Sequence, residues 1–68
     1  MHEKAVLICE FAAEALRVAA IKCAHASDDL LIGDDLSAER NIKIAISHLR
    51  EGSKAFKEMK LAIGKDVA

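Results

Sequence analysis

Three groups of side chains in this 68-residue chain have types and spacings that chemistry can use. His25 precedes Asp28 and Asp29, and His48 precedes Glu51, by the three or four residues that set two metal ligands on one helical face. Neither pair makes a signature such as His-Glu-x-x-His, and carboxylates are common, so the reading takes no metal and no cofactor. Cys9 and Cys23 form a second group. On one straight helix they lie about 21 Å apart, too far for an intrachain disulfide, and reduced packing thiols of a cytoplasmic protein are expected. Lys43, Arg50, Lys54 and Lys57, with Arg40 nearby, form the third: a basic face for RNA or for an acidic protein surface. Glu51 and Glu58 interleave with it, Phe11 and Phe56 are the only aromatic residues, and the net charge is −1. A solvated face with intramolecular ion pairs is the commoner form of such a stripe. No nucleophile–base pair, Gly-rich phosphate loop or paired inward carboxylate stands in the sequence. A non-enzymatic role with no catalytic residue is therefore expected.

The elements that must position these groups are helical. Apolar residues make up 53% of the chain, much of it Ala, with no Pro, and that composition favours helix throughout. Leu31-Ile32-Gly33-Asp34-Asp35-Leu36-Ser37 holds the strongest break. Gly33 suits the left-handed residue that ends a helix, and Asp34, Asp35 and Ser37 are good N-cap residues for the next. The expectation is all-α: an antiparallel hairpin in one domain, with helix 1 about 3–32, a bend about 33–36 and helix 2 about 37–63. Asp28-Asp29 offers an alternative end near Ser27. Gly64 offers a C-cap with Lys65 at the negative end of the dipole.

In helix 1 the stripe Val6, Cys9, Ala13, Leu16, Ala20, Cys23, Leu30 reads as the core seam. A second stripe runs Ile8, Ala12, Ala15, Ala19, and a third holds Leu7, Phe11, Val18 and Ile21. In helix 2 the seam is Ile42, Ala45, Leu49, Gly52, Phe56, Met59, Ile63. The expected core and oligomer-interface residues are Val6, Cys9, Phe11, Leu16, Ile42, Leu49, Phe56 and Met59. With the bend near Asp34 and Asp35, residue n falls across from 69 − n, which brings Glu10 and Glu14 near Lys54, Lys57 and Lys60. Gly52 is expected in tight packing beside Ala13, Ala15 and Ala19. Helix 1 is apolar around roughly two-thirds of its circumference, more than one partner helix covers. A homodimeric four-helix bundle would close it. Residues 1–35 carry three basic and seven acidic side chains, and residues 36–68 seven and four. Opposite charges of this kind suit helices lying side by side. Neither a signal peptide nor a membrane-spanning run is read here.

Ser47-His48-Leu49-Arg50-Glu51-Gly52 resembles the phosphoacceptor motif of histidine phosphotransfer domains, in which an exposed helical His is followed four residues later by Gly. That resemblance implies a phosphoacceptor role for His48. Arg50 and Glu51 stand where that family carries Leu and a basic residue, and a carboxylate there repels a phosphoryl group. Ser47-His48-Leu49-Arg50 is also similar to the His box of sensor-kinase dimerisation domains, without their acidic residue and Pro. The bland counterpart is a solvated rim histidine. Together these readings favour a small protein-interaction or regulatory module that self-associates and also binds another protein. RNA binding through the basic face and phosphotransfer through His48 are the alternatives.

Overall fold

A computed structural model describes residues 3–67, with side chains through residue 64. Helix α1 spans Glu3–Leu31 and helix α2 spans Asp35–Val67, packed antiparallel as a hairpin whose Cα atoms extend 52 × 13 × 11 Å. Among the described residues there is no strand, and no helix is long and apolar enough to cross a membrane.

The bend is built from three residues. Gly33 has φ +77°, its amide donates to the Leu30 carbonyl (3.2 Å), and the Asp34 amide donates to the Asp29 carbonyl (2.8 Å). That hydrogen-bond pattern closes a helix with a left-handed glycine and satisfies two of the carbonyls in the last turn of α1. Asp34 then starts α2. Its carbonyl accepts from the Ala38 amide (3.1 Å), and its Oδ1 accepts from the Ser37 amide (3.2 Å). Hydrogen bonding from the Ser37 side chain and then from its amide holds the Asp34 carboxyl below its usual value. One residue thus ends the first helix and caps the second. α2 therefore begins at Asp35, two residues before the expected start. Its C-terminus also differs from expectation: α2 runs through Gly64 to Val67, so Gly64 is not a C-cap. α1 continues through Asp28 and Asp29, which removes the earlier end near Ser27.

The hairpin closes on alanine. Among the described residues, Ala5, Ala12, Ala15, Ala19 and Ala26 of α1 and Ala38, Ala45 and Ala55 of α2 are the buried apolar ones, and no large side chain is fully buried. Half-buried Ile8, Lys22 and Asp29 fill the gaps in the α1 row, and Gly52, which is buried, joins half-buried Asn41, His48, Met59 and Ala62 in the α2 row. Both rows alternate steps of three and four, the spacing of an antiparallel two-helix seam. Ala45, Gly52 and Met59 of the expected seam do lie between the two helices, but the other large residues expected there do not. Val6, Phe11, Ile42, Leu49 and Phe56 are 41–55% exposed and Cys9 is exposed, while Leu16 is half-buried at the edge of the seam. The physical reason is the small residues that dominate each row: the alanines and Gly52 let the two backbones approach closely, and most of the larger side chains must take the flanks. The expected register holds. A Cβ built on Gly52 lies 3.4 Å from Leu16 Cδ2, and Asn41 Nδ2 donates to Asp29 Oδ2 at 2.8 Å, so residue n sits across from about 69 − n.

Candidate interaction surface

Rotating the seam onto alanine divides the remaining apolar residues between two sides of the hairpin. Val6 and Cys9 of α1 line a shallow depression with Ile63 of α2. At heptad spacing the same side carries Leu16, Cys23 and Leu30 from α1 and Ile42, Leu49 and Phe56 from α2, with Ala13, Ala20, Ser27 and Ile46 beside them. Along this face no charged residue occurs in α1 from Ala5 to Ser27 outside Glu10, Glu14, Arg17, Lys22 and His25, all of which belong to the other three sides of that helix. In α2 only Glu39 and Lys60 touch its margins. Six of the eight residues expected in a core or oligomer interface lie here: Val6, Cys9, Leu16, Ile42, Leu49 and Phe56. By their spacing these six share one side of the hairpin, outside its seam.

The opposite side is mixed. Phe11, Leu7 and Ile8 line an open cavity of about 500 Å³ with Glu51, Lys54, Ala55 and Glu58. Phe11 therefore does not belong with the other large apolar residues, and Met59 lies half-buried in the seam itself. At the bend, Leu31, Ile32 and Leu36 are 77–82% exposed, an apolar tip that periodicity did not reveal because it belongs to the helix ends.

The remaining candidates occupy three different places. Lys43, Arg50 and Lys57 stand seven residues apart on the outward ridge of α2, with Lys54 beside them, and all are exposed. Lys43 pairs with Glu39 (3.2 Å) and Arg17 with Glu14 (3.2 Å), each pair within one helix. The expected cross-helix pairs of Glu10 and Glu14 with Lys54, Lys57 and Lys60 are not formed among the described residues, because the alanine seam turns those carboxylates outward. His48 is not a solvated histidine. It stands in the seam, half-buried, with Nδ1 enclosed and lacking a hydrogen-bond partner. Gly52, which the phosphotransfer resemblance would leave open to a partner's backbone, is buried against Leu16 and the Ala12 carbonyl. His25 is exposed on α1, and no group of three or more His, Cys, Asp or Glu side chains is placed to hold a metal among the described residues. Cys9 and Cys23 are free and exposed, not enclosed in a core.

Comparison with protein-family models, with curated proteins and with solved structures finds no match for this chain. The functional reading therefore rests on the surface just described.

Proposed function

We propose that this protein is a small cytoplasmic interaction module with no catalytic role, which self-associates through the apolar face of Leu16, Leu49 and Phe56 into a homodimeric four-helix bundle. One observation carries this reading. Among the described residues the seam between the helices buries alanines and leaves every Leu and Phe, Val6 and Val18, and nearly every Ile largely or partly accessible on the flanks or at the bend. Such a hairpin covers too little apolar surface to be stable by itself, and a chain of this size needs a further source of burial. The face is about 37 Å long over residues 6–30 at 1.5 Å per residue and two helices wide. That gives roughly 700 Å², close to the ~800 Å² per partner of a specific interface.

Light scattering on a sizing column tests the proposal. The wild-type chain is expected at twice its 7.3 kDa mass, and Leu49→Asp, which sets an unpaired carboxylate in the middle of the face, at the mass of one chain. Equal masses for the two proteins would remove this face from any role in assembly.

A further inference from the structure

We infer that the second copy docks with its bend at the same end, so that each α1 packs on the partner's α2 and the dyad runs along the bundle. This rests on the self-association proposed above and specifies its geometry. Two hairpins placed face to face have two symmetric solutions. With the bends at opposite ends, α1 meets the partner's α1 and α2 meets the partner's α2. With the bends together, each helix meets the unlike helix.

Shape favours the second. The α1 part of the face is mostly small, with Ala13, Ala20, Cys9 and Cys23 around one Leu16, whereas the α2 part is large, with Ile42, Leu49, Phe56 and Ile63. Packing small on small and large on large would need two different helix separations in one bundle. A dyad along the bundle keeps the axial level of every residue, so the observed register of about 69 − n carries across the interface. Ala13 then meets the partner's Phe56, Ala20 the partner's Leu49, Leu16 the partner's Ser53 and Cys23 the partner's Ile46. In these four central layers a small residue opposes a larger one, as an interdigitated core requires; toward the ends Val6 meets Ile63, and Cys9 and Leu30 meet Lys60 and Glu39 at the margins of the face.

Charge points the same way. α1 carries five acidic and three basic side chains, and α2 five acidic and seven basic. Same-end packing alternates net-negative and net-positive helices around the bundle. Opposite-end packing would bring the Arg50 and Lys57 ridges of both copies together along α2.

The native cysteines make the two solutions distinguishable. In the same-end dimer the two α1 helices are diagonal, and no cysteine reaches another. In the opposite-end dimer α1 meets α1 around Leu16, and Cys9 faces the partner's Cys23. The experiment treats wild type and Cys9→Ser/Ile46→Cys with diamide, which accepts the two electrons and two protons lost when two thiols form a disulfide. The products are read on a non-reducing denaturing gel beside light scattering of the untreated proteins. Same-end packing gives dimers in solution, a covalent dimer from the Ile46→Cys variant through Cys23, and none from wild type. A wild-type covalent dimer that disappears in both Cys9→Ser and Cys23→Ser overturns the same-end geometry and leaves self-association standing. Dimers in solution with no cross-link in either protein overturn it as well. Monomers in solution overturn the self-association reading itself.

Discussion

Replacing Gly52 by Ala adds one methyl group in the middle of the seam, and its effect follows from the atoms around it. The new Cβ lies 3.4 Å from Leu16 Cδ2, 3.5 Å from Leu16 Cγ and 3.8 Å from the Ala12 carbonyl oxygen. These are ordinary van der Waals separations, and the nearest atoms belong to a side chain whose other edge is accessible. No backbone has to move. Glycine in a helix interior costs about 1 kcal/mol relative to alanine, so Gly52→Ala is expected to stabilise the protein by nearly that amount, less a few tenths for the displacement of Leu16. For a chain of this size the midpoint of thermal unfolding should rise by roughly 4–8 °C. The assay is far-UV circular dichroism during thermal and urea unfolding, at matched chain concentrations because association shifts the midpoint. The urea slope should stay the same. A loss of about 1 kcal/mol or more would refute the reasoning, because it would mean the helices approach more closely at Gly52 than the alanine seam allows.

Gly33→Ala should do the reverse. Nothing obstructs its Cβ, but φ +77° costs an L side chain ~1–2 kcal/mol, read as a lower urea midpoint. His48→Ala should stabilise by about 1 kcal/mol in the same assay, since it removes the unpartnered Nδ1 and extends the alanine row with a better helix former. Because the Asp34 carboxyl is held below its usual value of 3.8, its contribution is complete above that value and is lost as pH falls through the lower folded one. Asp34→Asn keeps a good cap, so thermal midpoints of variant and wild type should agree at neutral pH and show a weaker acid dependence in the variant below about pH 4.

Much of the fold is legible in the sequence for local reasons. Gly33 followed by Asp34 and Ser37 writes the bend, and the register follows from the bend with two helices of nearly equal length. The seam was harder. Each helix carries several stripes about 100° apart, and hydrophobicity ranks Leu, Ile and Phe above Ala. Sequence periodicity therefore selects the larger stripe for the core, although close backbone approach is available only to the smaller one. Ala12, Ala15 and Ala19 are visible as a second stripe, and Ala45 stands in the expected seam of helix 2; its companions Ala38 and Ala55 are the missed signal. His48 shows the limit of spacing alone. Its separation from Gly52 resembles a phosphoacceptor motif, yet the same spacing of four also places both in a two-helix seam. The exposed tip at Leu31, Ile32 and Leu36 had no periodic signature, because a tight bend ends both helices within one turn.

The most direct test of the account is the solution mass of the unmodified chain, by sedimentation equilibrium over a wide range of concentration. A self-associating hairpin should give a single reversible monomer–dimer equilibrium with a limiting mass of twice 7.3 kDa, and lose helical circular dichroism as dilution releases the monomer. A helical, monodisperse monomer at every concentration would contradict it, for the hairpin would then be stable with the Leu16, Leu49 and Phe56 face in water.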